Sequence, residues 1–251
     1  MPSFPHIFIG IGSNGNRVVQ NINIEKISKL SINPSYYLLG KFPFRQKLRD
    51  LFQKVPNDAI LWVVFENKPI NLEILSVLLE YLPENPLKLA YVLSPEKELI
   101  HDQKPPWAQE FDTVFYDSLW ESLHDYRDAS LEMAFQMATQ NIGTMFTRLH
   151  YYLENQMLVN VDYADFFNMV RGNNIGILRL LSKVNFEWHW GVWDKGLINI
   201  LVGENVPLSD AHRILSNFQK FLKEKDIIWG IKMEEGLNDH IEILSLLVKR
   251  W

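Results

Sequence analysis

The 251-residue chain contains no cysteine, which removes disulfides, thiolate-bound zinc and a cysteine nucleophile from its chemistry. It also has little net charge: 25 Lys and Arg against 30 Asp and Glu leave −5, with a sequence pI of ≈ 5.8. Without a basic field there is no counterion release to gain from a phosphate backbone, so nucleic acid is not the expected partner. No apolar run approaches the roughly 20 residues of a membrane helix. The start Met1-Pro-Ser-Phe-Pro-His6 lacks the basic, apolar and small-residue zones of a secretory signal. A cytoplasmic protein with no direct membrane anchor is the expectation. Two catalytic signatures are missing as well. No G-x-x-x-x-G-K-[ST] run supports P-loop chemistry, and no G-x-S-x-G elbow supports an α/β-hydrolase. The seven histidines never fall at i, i+3 or i, i+4, so no metal site is expected.

What is present is the composition of a folded domain: 47% hydrophobic, 13% aromatic and eight Trp. Residues 6–10 and 59–65 read as buried strands, the second apolar without interruption, as in a strand covered on both faces. Residues 36–39, 87–93 and 113–116 read as further strands, with helices at 16–29, 44–54 and 71–81 between them. That alternation predicts an α/β fold with a doubly wound, mainly parallel sheet. Residues 97–106 are polar with a Pro pair and read as a loop. Residues 130–155 have no proline and one glycine, and predict a single long central helix. After it come a short apolar piece at 157–161, a helix at 163–171, strands at 175–181 and 197–202, an amphipathic helix at 209–223, and strands at 226–233 and 240–248. The expected organisation is a nucleotide-binding-like domain over 1–129, the central helix and a following loop over 130–172, and a smaller α+β domain over 173–251.

Three segments carry candidate chemistry. Gly10-Ile-Gly-Ser-Asn-Gly15 satisfies G-x-G-x-x-G between a strand and a helix, where backbone amides and the helix dipole can receive phosphate. A tight turn that needs glycine for backbone reasons alone fits the same residues. A dinucleotide site would add an acid after the second strand, and Leu38, Leu39 and Gly40 stand there. Asn160-Val-Asp-Tyr-Ala-Asp165 sets an amide and two carboxylates at a helix start. They fit helix capping, and they fit the polarising of a water in a phosphate site shared with another molecule. Residues 186–193 alternate, placing Trp188 and Trp190 on one face and His189 on the other, which suits core packing or a partner surface.

From about His6 to Val248 the order of these pieces resembles the FtsZ/tubulin superfamily of filament-forming GTPases. Residues 9–16 resemble its first phosphate loop, one residue short, and 160–165 resemble its synergy loop after the central helix. Residues 195–200 and 227–239 resemble its C-terminal domain. The resemblance implies a nucleotide held at Gly10, Gly12, Ser13, Asn14, Gly15 and Asn16, with Phe135 packing on guanine. It also implies that Asn160, Asp162 and Asp165 complete hydrolysis on a neighbouring subunit.

The sequence departs from that family where phosphate should be held. The family's glycine-rich loop after the third strand is here Phe65-Glu-Asn-Lys-Pro-Ile-Asn71, without glycine. Pro69 removes a donor, and Glu66 brings negative charge. Thr139 replaces the base-reading side chain one turn after Phe135, and residues 94–98 rework another loop. The expectation is a pseudo-GTPase with no bound cofactor, associating with an FtsZ/tubulin-family protein or with itself, and regulating or capping a cytoskeletal or cell-division filament. Two alternatives stand: an active, self-polymerising GTPase that binds GTP or GDP with Mg2+, Lys68 replacing lost amides, and a non-filament scaffold.

Overall fold

The computed structural model describes residues 4–38, 44–94, 103–119, 123, 126–155, 162–181, 193–207, 209–210, 212–214, 216 and 226–251. They form two compact units, 1–144 and 145–251.

In the first unit five parallel strands lie in the order β2-β1-β3-β4-β5: β1 (His6–Ile11), β2 (Ser28–Ile32), β3 (Ile60–Glu66), β4 (Leu87–Ser94) and β5 (Thr113–Ser118). Every residue of β1 and β3 is buried, because a parallel sheet wound with helices leaves neither face of its inner strands to water. Phe8, Trp62 and Phe115 share one face and stack at ring separations of 6.1 and 5.8 Å. The strands are joined by α1 (Gly12–Asn21), the short α2 (Pro34–Leu38), α3 (Phe44–Phe52), α4 (Pro69–Leu79) and a 3-10 turn at Pro106–Glu110. Pro69 occupies the first turn of α4, where its missing N–H leaves no intrahelical bond unmade.

The long helix α5 (Leu131–Glu154) starts in this unit, where the Ser130 hydroxyl accepts from the Met133 amide at 3.3 Å, and ends in the second. The second unit adds α6 (Tyr163–Val170) and the strands β6 (Asn174–Leu181), β7 (Lys195–Val202), β8 (Asp226–Met233) and β9 (Ile241–Arg250), in the order β6-β9-β7-β8. Here β9 runs antiparallel to β6 and β7, and β8 runs parallel to β7. Arg148 of α5 bridges to Glu242 at 3.0 Å and Glu234 at 3.8 Å. Lys232 donates to the Tyr151 hydroxyl and lies 3.7 Å from Glu234. Tyr152 is fully buried beside these glutamates, and desolvation first, then the negative charge of Glu242, pushes its phenol well above the usual tyrosine range.

One expected strand is displaced. Residues 36–38 do not form β2; Pro34 opens α2, and the second strand is Ser28–Ile32, a more polar segment on the outer side of β1. The helix expected over 16–29 spans Gly12–Asn21 instead, so the glycine motif forms its first turn rather than a loop ahead of it. The correction leaves the dinucleotide argument unchanged, since Asn33 rather than an acid follows the true β2. The apolar piece at 157–161, most of the 97–106 loop and most of the 209–223 helix lie outside the described residues, as do Leu39, Gly40, His189, Trp188 and Trp190; Trp193 is buried.

Burial lowers the His150 pKa, with Glu154 opposing more weakly, so the fold favours the neutral ring. The unfolded chain then binds more protons, and stability falls as pH drops below about 6.5, the unperturbed histidine value, toward the lowered folded value. Urea midpoints measured between pH 8 and 5 are expected to decline less steeply in His150→Gln than in the wild type.

Candidate functional site

The glycine motif is built against β3. Gly10 is the penultimate residue of β1, and Gly12 opens α1 with φ +80°, a left-handed backbone that side chains rarely adopt. A Cβ on Gly12 would sit 2.7 Å from the Asn71 side-chain oxygen, and one on Gly15 would sit 2.4 Å from the Val64 carbonyl oxygen. Glycine at 15 therefore lets the first turn of α1 lie directly on the β3 backbone.

That contact brings a side-chain network together. Asn14, only 7% exposed, donates through Nδ2 to Glu66 Oε1 at 2.8 Å. Glu66, 4% exposed at the end of β3, also takes a 2.7 Å bond from Lys68 Nζ. Asn71, itself buried, donates to the Glu66 backbone oxygen at 3.1 Å while its carboxamide covers Gly12. Asn16 is engaged elsewhere: its Nδ2 donates to the Ile32 oxygen at 3.0 Å and its Oδ1 accepts from the Ile32 amide at 3.1 Å, tying α1 to β2. Of the motif, Ser13 is left exposed.

The first turn of α1 therefore lies beside a buried carboxylate, Glu66, whose charge is paired with Lys68 at 2.7 Å.

Beside this network a cleft of ≈ 200 Å³ runs between α1 and the start of α5, lined by Arg17, Gln20, Asn21, Glu132, Gln136 and Thr139. Thr139 is buried and donates to the backbone oxygens of Phe135 and Gln136 at 2.9 and 3.0 Å, so its hydroxyl proton is held by its own helix. Phe135 is half-buried near this cleft's α5 wall but does not line it. Sequence reading found Phe135 and Thr139, and missed Arg17, Gln20, Asn21, Glu132, Gln136 and the Asn71 cover. The helical spacing of 132, 136 and 139 was the available signal for one wall.

In the second unit Asp162 is the N-cap of α6 and Asp165 its third residue. Asp162 Oδ1 accepts from the Asp165 amide at 2.9 Å, and Asp165 Oδ2 accepts from the Asp162 amide at 3.2 Å, a reciprocal capping box. One oxygen of each carboxylate is thereby used, and the other makes no hydrogen bond among the described residues. Both side chains are half-buried, and Asn160 lies outside the described residues. Capping thus leaves one oxygen of each half-buried carboxylate without a hydrogen bond among the described residues.

No family model matches the sequence. The structure is similar to the empty FtsZ dimer of M. jannaschii, with a TM-score of 0.75 and 14% identity over 99% of this chain and 89% of that one. The chain has the FtsZ/tubulin fold. A TubZ of Bacillus thuringiensis serovar israelensis, solved as GDP-form protofilaments, matches at TM-score 0.68 and 10% identity over 98% of this chain and 86% of that one. CetZ2 of Haloferax volcanii, solved as a GTPγS-bound protofilament, matches at TM-score 0.63 and 14% identity over 98% and 94%. The FtsZ/tubulin fold thus accounts for both units, including the long α5. Among the described residues no helix is long and apolar enough to cross a membrane, and no group of His, Asp or Glu is placed to hold a metal.

Two substitutions separate the networks. Asn14→Ala leaves one bond to the buried Glu66 carboxylate unmade and is expected to lower stability by about 2 kcal/mol. Asp162→Ala removes the α6 cap and is expected to cost about 1 kcal/mol. Guanidinium unfolding of each variant measures both losses.

Proposed function

We propose that this protein is a pseudo-GTPase that acts by association, in the manner the FtsZ/tubulin fold allows between subunits. The observation that carries this reading is the Glu66 carboxylate, buried against the first turn of α1 and bonded to Asn14 and Lys68 where phosphate would have to come. A site already filled by the chain's own anion gains little from a nucleotide. Asp162 and Asp165 remain as an acidic pair at the start of α6, and they are the groups offered to a GTPase-competent relative or to another copy. Placed against a neighbour's nucleotide, that pair would stimulate turnover or cap a filament end, regulating a cytoskeletal or cell-division polymer from the cytoplasm.

A second reading has its own support. The cleft between α1 and α5 is open, Lys68 is 57% exposed despite its bond to Glu66, and similar folds are solved as GDP and GTPγS forms. On this reading the chain binds GTP with Mg2+ and polymerises itself, Lys68 turning from Glu66 to the nucleotide.

Calorimetry decides between them. Titrating GTP and GDP with Mg2+ into the full chain is expected to give no heat of binding up to millimolar nucleotide, and micromolar binding would establish the second reading instead. Added to a GTPase-competent protein of this fold from the same cell, the wild type is expected to change GTP turnover. The double variant Asp162→Ala, Asp165→Ala is expected to lose that effect.

A further inference from the structure

The four-stranded sheet of the second unit ends in a strand built to be extended. β8 pairs with β7 over eight consecutive residues without a bulge, and among the described residues nothing pairs with its other side. Strands left at a sheet edge are ordinarily kept short, or protected by proline, a bulge or charge along their length. β2, the terminal strand of the first unit, follows that rule with five residues, Ser28-Lys-Leu-Ser-Ile32. β8 does not. It reads Asp226-Ile-Ile-Trp-Gly-Ile-Lys-Met233, with charge only near its ends, and Met233 is 60% exposed.

The residues of β8 also complement themselves. In an antiparallel pair of two copies about a two-fold axis at Trp229, Asp226 of each copy faces Lys232 of the other, a lysine that also donates to the Tyr151 hydroxyl of its own chain. Ile227 then faces Ile231, Ile228 faces Gly230, and Trp229 faces Trp229. Residues directly opposite across such a pair interact, and aromatic, aliphatic and opposite-charge pairs all favour it. Moving the register by one or two residues puts an isoleucine, glycine or methionine opposite each of these charges wherever it stays within β8. A one-residue slip also reverses which faces meet. Charge and side-chain class thus select one register.

We infer that β8 is a homodimerisation edge, through which a second copy of this chain extends the sheet in antiparallel register centred on Trp229. This contact uses neither the glycine turn nor the Asp162 and Asp165 face, so it is independent of the nucleotide reading. It gives the protein a route to a closed two-fold dimer, with no strand edge left at the junction.

Because the natural chain has no cysteine, single cysteines report the register directly. Opposed residues lie about 5 Å apart, whereas Ile227 of the two copies would be roughly 14 Å apart, four residues along the strand. With a bis-maleimide spanning less than about 10 Å, full-length Ile227→Cys and Ile231→Cys are each expected to stay uncross-linked. Their equimolar mixture is expected to give a covalent dimer, and Trp229→Cys to cross-link with itself. Sedimentation velocity of the wild type is expected to show a dimer. Asp226→Lys, which sets two lysines opposite each other twice per dimer, is expected to weaken it at least tenfold. Asp162→Ala with Asp165→Ala is expected to leave it unchanged. Ile227→Cys and Ile231→Cys supply the register should Trp229→Cys fail to fold. A monomer at all concentrations, or cross-linking of Ile227→Cys alone as efficient as that of the mixture, would overturn the inference.

Discussion

The close approach of the first turn of α1 to the β3 backbone is the constraint on which the candidate site depends. Gly15 has room only for hydrogen against the Val64 carbonyl, and this lets Asn14 reach the carboxylate at the end of β3. Once Glu66 is buried there it must be satisfied, because an ionised carboxylate out of water costs several kcal/mol unless charge and hydrogen bonds compensate. Asn14 and Lys68 supply them, and Asn71 completes the cover over Gly12. The turn that looks from sequence like an anion receptor thus has a carboxylate of the chain itself bonded to one of its side chains, Asn14.

This bears on what the fold can be used for. Similar folds are solved as empty, GDP and GTPγS forms, so the scaffold by itself does not fix the chemistry at the end of its strands. Here the segment after β3, from Asn67 to Asn71, contains no glycine. Pro69 begins α4, Lys68 holds its N-cap position without a side-chain bond, and the amides of Asn67, Lys68 and Asn71 are bonded within the protein, so Glu66 to Asn71 is a compact turn into a helix. In the second unit the capping box of α6 satisfies the helix end and uses one oxygen of each carboxylate, leaving the other without a hydrogen bond among the described residues.

Most elements could be read from periodicity and punctuation. The unbroken apolar run of β3, the proline-free stretch of α5 and the Asp162 cap each have a local cause, and the structure places them within a few residues of expectation. The second strand could not be read that way. Ser28-Lys-Leu-Ser-Ile32 has a weak pattern because β2 lies at the sheet edge, whereas Tyr36 and Tyr37 suggested a strand and instead follow Pro34 into a helix. At the candidate site, the glycines and the acidic pair were visible as motifs. The Asn71 cover and the residues of the α1–α5 cleft were not, since Asn71 meets Gly12 only once α4 follows β3, and the cleft needs the distant α5 beside α1.

By itself the sequence determined the fold class, the long helix and the absence of glycine after β3, because these follow from local composition and hydrophobic period. Only the tertiary structure decided what the glycine motif faces. Whether a helix N-terminus meets solvent, a ligand or a buried glutamate depends on which strand is its neighbour, and in this protein Glu66 and Asn14 are 52 residues apart along the chain yet 2.8 Å apart in space.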